Sequence, residues 1–306
     1  MTFIALFYLV AVFMLGAILG SFLNVVAVDS MNVYMKEKLY ERSEWTFIKG
    51  KFTDKIFWKH LITHRSSCDT CSTILTPKEL VPVVSYLYQR GKCKTCEVSF
   101  APQHLYIELI AGVLFTGVFY AIFNSYAVLS PLFVFEVFYF FIFFSLALLL
   151  MIFDYEHMIV PNFLVYPMMV MAFVANILPF KSLQNISGTE LVLSACALAA
   201  PLFLVWMLSK GKGMGFADWK ISFVMGALLG LNLGLSALVM SFWVGALISL
   251  AMIGYQNYLK PQQELKEGEI REGEELSLKS AIPFGPFLVI GLWLAYVTGV
   301  VIIGIL

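Results

Sequence analysis

Long apolar segments separated by polar loops run along most of the chain. Segments of the length that crosses a bilayer, about 20 residues, occur eight times, at 3–28, 105–124, 130–153, 157–179, 189–208, 219–235, 237–257 and 284–306. The sixth and seventh are separated only by the short sequence GLNLG, so their boundary is the least defined. The pattern predicts eight membrane-spanning helices. In the first of them Gly16 and Gly20, four positions apart, predict the close approach of another helix.

The composition indicates a lipid environment. Hydrophobic residues make up 60% of the 306 residues and charged residues 13%, against about 45–50% and about 25% in soluble domains. A single core cannot hide that excess, so we expect an all-α polytopic membrane protein. Its expected domains are a first span at 1–28, a polar domain at 29–104, and a membrane bundle at 105–306 that includes a charged loop at 259–283.

Basic residues are concentrated in three regions, 29–104, 209–220 and 259–283, with Lys181 as the exception. With eight spans, all three regions lie on the same side of the membrane, and the positive-inside rule makes that side the cytoplasm. Both termini would then face outward. The first ten residues contain no basic residue, which argues against a cleaved signal peptide because such peptides begin with a positive segment.

Four of the five cysteines lie in the polar domain as two CxxC pairs, Cys68 with Cys71 and Cys93 with Cys96. Such pairs converge on one tetrahedral zinc ion, and the 21 residues between them slightly exceed the usual spacing of about 15–20. Disulfides are the alternative, which a reducing cytoplasm disfavours. Four thiolates leave no open coordination position, so the expected zinc is structural and stabilises a small zinc-ribbon-like domain with a weak core.

Two acidic residues lie at the ends of apolar segments. Asp154 ends one span, and Asp218 begins another after the glycine-rich sequence GKGMG. Acids in or beside membrane spans are costly and are functional candidates. Each acid could instead cap a helix, but in the predicted topology both lie at cytoplasmic helix ends and can face each other. Glu108 and Glu136 also lie inside apolar runs and are weaker candidates.

A facing pair of carboxyl groups has a definite chemistry. Two carboxylates a few ångströms apart cannot both ionise, so they share one proton. One can then take a proton from water while its protonated partner polarises a carbonyl group, which is the chemistry of aspartic proteases. Glycines before Asp218 would allow an extended substrate to approach the backbone. The sequence therefore predicts a protease dyad of Asp154 and Asp218.

Together these features resemble the type IV prepilin peptidases, a family of bifunctional leader peptidases and N-methyltransferases, over almost the whole chain. Six motifs carry the resemblance in order: GSFLNVV (20–26), the double CxxC with VPVVSYLYQRGKC (81–93), IELIAG (107–112), FDYEHMIVPN (153–162), GMGFADWK (213–220) and IPFGPFL (282–288). The chain departs from the family pattern at Ala217, where a second glycine is usual, and at Asp69, where the first knuckle usually has proline.

The resemblance implies an enzyme of the bacterial inner membrane, with Asp154 and Asp218 as catalytic residues and the four cysteines as zinc ligands. It implies removal of the basic leader of prepilins or pseudopilins after a glycine, and then methylation of the new N-terminus by S-adenosylmethionine. The zinc domain and both aspartates would lie on the cytoplasmic side. The expected partners are these precursors and membrane lipid, with no nucleic acid. Methyl transfer is expected to depend on the zinc domain, which lies where the leader emerges, rather than on the dyad.

Two other classes of function remain open on the residues alone. An ion-coupled transporter would also use Asp154 and Asp218, but it predicts inverted repeats with broken helices, and the sequence shows no such symmetry. A non-catalytic scaffold for pilus or secretion assembly needs the zinc domain and the bundle but not both aspartates. Substituting each acid separately distinguishes the three.

Overall fold

A computed structural model provides the fold. It describes residues 3–38, 68, 70–183, 186–211, 213–259 and 283–302, with side chains from Leu6 to Ala27 in the first range and up to Tyr255 in the fifth. The polar stretch 39–67 and nearly all of the charged loop predicted at 259–283 therefore lie outside the described residues.

Helices form nearly all of the described structure. In chain order they are α1 (Phe3–Lys38), α2 (Val84–Tyr88), α3 (Gln103–Ser125), α4 (Pro131–His157), α5 (Asn162–Ile177), α6 (Gly188–Leu208), α7 (Asp218–Leu259) and α8 (Gly285–Thr298). Within the described ranges there is no β-strand, and an isolated antiparallel bridge joins Lys92 to Ser99. The predicted all-α fold is confirmed for this part of the chain.

Five of the described helices are long and apolar enough to cross a membrane: α1 over Leu6–Ala27, then α3, α4, α6 and α7. The helices α5 and α8 are apolar but shorter. Two of the predicted spans are merged in α7, which is interrupted at Gly230 by a non-helical conformation (φ 74°, ψ −173°) within the GLNLG sequence. The number of spans, expected to be eight, stays a prediction.

Three helix boundaries show how local sequence sets the ends of the spans. The helix α1 continues past its predicted end at 28 to Lys38, because no glycine or proline interrupts that stretch. The helix α8 ends earlier than predicted, at Thr298, since Gly299 adopts the left-handed conformation (φ 62°) that terminates helices. Pro161 immediately precedes α5, as expected for a residue that starts a helix.

One compact unit comprises residues 1–153 and 160–183. Within it α1 packs closely against α3 through the predicted glycine pair. A Cβ at Gly16 would lie 3.0 Å from the Ala111 carbonyl oxygen, and a Cβ at Gly20 would overlap the Ala111 side chain. The glycines thus perform the predicted packing role, and α3 is the partner. Fully buried phenylalanines of α3 and α4 fill the core of this unit: Phe115, Phe140, Phe143 and Phe144.

The second compact unit comprises residues 154–159 and 184–306, and it contains α6, α7 and α8. Small residues again allow close helix contacts. A Cβ at Gly226 of α7 would overlap the Ser194 carbonyl oxygen of α6, and the Ser222 hydroxyl donates to the Leu198 carbonyl at 2.8 Å. The last turn of α4, which begins at Asp154, belongs to this unit, so both predicted catalytic acids lie in it.

Candidate active site

Asp154 lies in the last turn of α4, where its side chain is only 6% exposed. Its Oδ2 accepts a hydrogen bond of 2.8 Å from the backbone N–H of Gly285, the first residue of α8. A Cβ at Gly285 would lie 2.5 Å from that oxygen, far inside van der Waals contact. The motif IPFGPFL therefore supplies a backbone donor to Asp154 at a position that has no room for a side chain.

Asp218 is the first residue of α7 and is 5% exposed. Its Oδ2 accepts the backbone N–H of Gly215 at 3.0 Å, while its own N–H donates to the Gly215 carbonyl at 3.3 Å. These two bonds close the turn that precedes α7. The donor lies three residues before the helix begins rather than in its first turn, so this bond is not the N-cap contact considered from the sequence, and it uses one carboxylate oxygen.

The structure brings the two acids together in one compact unit, and their carboxyl groups interact electrostatically. In the described part of the chain, only Oδ2 of each carboxyl group accepts a hydrogen bond, which in both cases comes from a glycine amide. Oδ1 of each group is left for another partner. Burying two neighbouring carboxyl groups costs free energy, and proteins retain such arrangements mainly at functional sites.

The roles of the two glycines were not predicted. Glycines near Asp218 were expected to admit substrate, whereas Gly215 binds the carboxylate itself. The sequence IPFGPFL has a Gly-Pro pair at the start of an apolar segment, and this pair is the available signal for a role of Gly285. What it could not show is the partner, because Gly285 and Asp154 are 131 positions apart.

Glu136, one of the weaker candidates, has a structural role. It is fully buried and accepts hydrogen bonds from the Tyr126 hydroxyl at 2.5 Å, from the backbone N–H groups of Lys181 and Ser182, and from the Ser182 hydroxyl. Burial and the adjacent carboxylate raise the pKa of Tyr126. These hydrogen bonds connect the first half of α4 to the segment after α5, which is a structural role for the carboxylate.

The four predicted cysteine ligands form one cluster, with all four sulfur atoms within 4.8 Å of one another. Sγ of Cys68 lies 3.7 Å from Sγ of Cys96, and Sγ of Cys71 lies 3.9 Å from Sγ of Cys93. Ligands about 2.3 Å from a tetrahedral zinc ion would be about 3.8 Å apart. All four thiols are free rather than paired in disulfides, so the cluster fits a metal ion.

The two CxxC pairs have the same backbone turn. The N–H of Ser72 donates to the Cys68 carbonyl at 2.8 Å, and the N–H of Glu97 donates to the Cys93 carbonyl at 2.9 Å. Both donor residues adopt the left-handed conformation, with φ of 55° and 57°. The repeated turn explains how each pair presents its two thiols to a common point.

A carboxylate links the second knuckle to the segment between the two pairs. Glu79 accepts hydrogen bonds from the backbone N–H and the hydroxyl of Thr76, and its other oxygen lies 3.2 Å from Nζ of Lys94, inside the second CxxC. The hydrogen bonds from Thr76 and the Lys94 ammonium lower the pKa of Glu79 to about 2. The carboxylate is therefore ionised at neutral pH and holds the ion pair.

Long apolar helices, a buried carboxyl pair and a four-thiol cluster define a membrane protein with a candidate hydrolytic centre and a separate candidate metal site. The family model for the bacterial peptidase A24 N-terminal domain matches residues 14–122, and that for the type IV leader peptidase family matches residues 141–250. The chain belongs to this peptidase family and is an enzyme.

Curated relatives cover most of the chain. A prepilin leader peptidase/N-methyltransferase of Aeromonas hydrophila is 26% identical over 297 residues, covering 95% of this chain and 91% of the relative. A protein of the same name from Pseudomonas aeruginosa PAO1 is 24% identical over 293 residues, with the same coverage. Another, from Bacillus subtilis strain 168, is 29% identical over 242 residues, covering 78% of this chain and 84% of the relative. No solved structure matches the chain.

Proposed function

We propose that this protein is an aspartic endopeptidase of the bacterial inner membrane that removes the basic leader of type IV prepilins or pseudopilins after a glycine. The observation that carries the proposal is the buried pair of Asp154 and Asp218, each held through one oxygen by a glycine amide. The proposal is supported by the curated relatives, whose name is prepilin leader peptidase/N-methyltransferase. Both acids also lie inside the match to the type IV leader peptidase family.

Hydrolysis would use the two carboxyl groups in complementary protonation states. The ionised carboxylate takes a proton from a water molecule, whose oxygen then attacks the scissile carbonyl carbon. The protonated partner donates to the carbonyl oxygen, and a proton then passes to the leaving amine. Because the glycine amides fix Oδ2 of each group, the Oδ1 atoms are the ones available to the water and to the substrate.

The proposed second activity is methylation of the new N-terminus, usually a phenylalanine. S-adenosylmethionine would supply the methyl group as a sulfonium-bound electrophile. The name of the curated relatives supports this activity. The two activities would use different parts of the chain, since the aspartates lie in the C-terminal family match and the cysteines in the N-terminal one.

We further propose that Cys68, Cys71, Cys93 and Cys96 bind one structural zinc ion. The sulfur separations of 3.7 and 3.9 Å fit a tetrahedral ZnS₄ site, and four thiolates leave no position for a catalytic water. The distribution of basic residues supports a cytoplasmic location for this domain and for the aspartates.

Single amide substitutions at the two acids test the proposal. Asp154→Asn and Asp218→Asn should each lower the cleavage rate of a synthetic prepilin by about 10³-fold or more, because an acid step and a base step each contribute about 10²–10⁴-fold. Folding and zinc content should stay near the wild-type values, since asparagine has nearly the same shape. The uncut prepilin should still bind, so each variant should form a stable complex with its substrate.

Glu156→Gln is the matched control, because this acid lies two residues from Asp154 on the same helix and should be dispensable for cleavage. A substantial cleavage rate in Asp218→Asn would show that Asp218 only caps a helix and that the two acids are not a catalytic pair. A purified wild-type protein that does not cleave prepilin would instead favour a scaffold. A proton-coupled flux lost in the two aspartate variants would favour a transporter.

A further inference from the structure

A buried asparagine lies where α1 meets the beginning of α3. Asn24 is 3% exposed, and its Nδ2 lies 2.8 Å from Nδ1 of His104. Its Oδ1 is buried and makes no hydrogen bond to any described residue. Apart from the thiols, Asn24 is the one buried polar side chain described within residues 14–122, the match to the N-terminal family domain. A buried unpaired acceptor destabilises a fold, and it indicates a missing donor.

The contact with His104 assigns the roles of the two amide atoms, with the imidazole in the tautomer whose Nδ1 carries no proton. Nδ1 of His104 accepts from Nδ2 of Asn24, which leaves Oδ1 as the unused atom. His104 itself is exposed, so the end of the contact is accessible from outside the protein. His104 therefore acts as a positioning residue for the asparagine acceptor.

A second acceptor lies on the same contact surface between α1 and α3, which we call the seam. Gly20 and Asn24 are one turn apart on α1, and His104 and Glu108 are one turn apart on α3. The position of a Cβ at Gly20 lies 3.6 Å from the Glu108 Cα, so the two pairs face each other along the helix contact. Oε2 of Glu108 accepts a hydrogen bond, and Oε1 has no partner among the described residues. The seam thus has two unused acceptors, one of them on an acidic side chain.

A hydrogen bond also connects the seam to the segment that carries the cysteine pairs. The backbone N–H of Val83, which lies between the two cysteine pairs, donates to Oε2 of Glu108 at 2.8 Å. Val83 has φ of 62°, a conformation that β-branched residues rarely adopt. Backbone strain of this kind is maintained mainly at functional sites. This bond gives a physical route by which the zinc domain would influence the seam.

We propose that the seam between α1 and α3 binds the α-amino group of the trimmed substrate through Oδ1 of Asn24 and the carboxylate of Glu108, and that Glu108 is the base for its methylation. This inference rests on the proposed methyltransferase function. An ammonium group carries three N–H donors and a positive charge, which complement an amide oxygen and a carboxylate. A polypeptide N-terminus and a lipid such as phosphatidylethanolamine share this chemistry.

The proposed step is a direct displacement. The ammonium group first loses a proton to Oε1 of Glu108, which leaves a lone pair on nitrogen. That lone pair attacks the methyl carbon of the sulfonium donor, forming the N–C bond as the C–S bond breaks. The electron pair of the C–S bond goes to sulfur, which leaves as a neutral thioether. The second proton of the methylated nitrogen is released to solvent.

Binding measurements without any methyl donor test the amine site directly. In nanodiscs whose lipid is phosphatidylcholine, a lipid without a primary amine, the full-length enzyme should bind a trimmed pilin peptide with a free N-terminus at least about tenfold more tightly than its N-acetylated form. Asn24→Leu and Glu108→Gln should each reduce that ratio to within about twofold. Asn24→Asp, which keeps the shape and an acceptor, should retain the preference. The same changes elsewhere, Asn176→Leu on α5 and Glu190→Gln on α6, are the controls.

A kinetic measurement tests the base. Glu108→Gln retains an acceptor for Val83 but cannot take a proton, so kcat for methylation of the trimmed peptide should fall by about 10²-fold. Cleavage of the uncut prepilin should stay within about twofold of wild type. Added phosphatidylethanolamine that competes with the peptide and itself becomes methylated would identify a lipid as the amine source.

The outcomes separate this inference from the function on which it rests. A wild-type enzyme that cleaves but never methylates refutes the methyltransferase activity, and the binding ratio still decides whether the seam recognises an amine. Unchanged binding ratios in Asn24→Leu and Glu108→Gln would overturn the amine site and make the seam a packing contact. Loss of the preference in Asn24→Asp as well as Asn24→Leu would also contradict it.

Discussion

Among the described residues, one backbone N–H donates to each carboxyl group of the aspartate pair. Gly285 donates to Asp154, and Gly215 donates to Asp218, both to the Oδ2 atom. A carboxyl group that is fixed at one oxygen has a defined direction for the other, which catalysis by a paired acid and base requires. The two glycine amides therefore orient the carboxyl groups, and the site depends on these glycines as well as on the aspartates.

The absence of a side chain at Gly285 leads to a test. In Gly285→Ala the added Cβ would lie 2.5 Å from Oδ2 of Asp154, so either the carboxylate or the start of α8 must move. Displacement by about 1 Å can cost about 10²-fold in rate. We expect prepilin cleavage to fall by at least that factor, while zinc content stays normal. Measured rates on a synthetic prepilin and metal analysis of the same preparation check both.

Gly254→Ala is the control for that substitution. Gly254 lies within α7, and a Cβ there would have no atom within 4 Å. Replacing a helical glycine with alanine usually stabilises by about 0.5–1 kcal/mol, so activity should be unchanged and thermal stability equal or slightly higher. A Gly285→Ala enzyme as active as Gly254→Ala would show that the amide contact does not position Asp154.

At the scale of elements, the two CxxC knuckles act as a repeated unit. Each contributes two thiols from the same backbone turn, with a left-handed residue directly after the second cysteine, Ser72 in one knuckle and Glu97 in the other. Neither knuckle can complete a tetrahedral site alone. The proposed metal site in the domain between α1 and α3 therefore depends on both elements.

Metal analysis of a double variant tests this dependence. The wild-type chain should contain one zinc per chain, and Cys68→Ser with Cys93→Ser should lose nearly all of it, because each knuckle then lacks one thiolate. Cys196→Ser, which alters the exposed thiol on α6, should retain one zinc. Near-stoichiometric zinc in the double variant would contradict the four-cysteine site.

At the scale of the whole molecule, the candidate chemistry is divided between two compact units. The aspartate pair lies in residues 154–159 and 184–306, whereas the cysteine cluster and the seam of Asn24 lie in the other unit. The curated relatives carry a name with two activities. A division of the site residues between two units provides a structural basis for testing those activities separately.

Orientation in the membrane is the prediction that belongs to this scale. Reporter fusions near residues 60 and 270 should report cytoplasm, since basic residues surround both positions. Fusions after Lys181 and after Leu306 should report the exterior if the chain crosses eight times. A cytoplasmic signal after Leu306 would contradict the prediction of eight spans. The side of the membrane on which the zinc domain lies would then be decided by the fusion near residue 60.

Much of the fold and the candidate site could be predicted because the signals are local. Apolar runs indicated the long helices, and the glycine pair in α1 indicated a close helix contact that α3 provides. Four cysteines at CxxC spacing indicated one cluster, and the structure brings their sulfur atoms within 4.8 Å. The end of α8 at Gly299 was missed, since an apolar run does not show where a left-handed residue will stop the helix.

The sequence by itself determined the membrane environment, the grouping of the thiols and the choice of Asp154 and Asp218 as candidate acids, because hydrophobicity, spacing and charge are properties of short segments. Tertiary structure alone decided the partners of those acids. Asp154 receives its hydrogen bond from a residue 131 positions away, and Asn24 meets His104 across 80 positions. Such contacts depend on how complete helices pack, and helix packing is set by the shapes of many side chains together rather than by any motif.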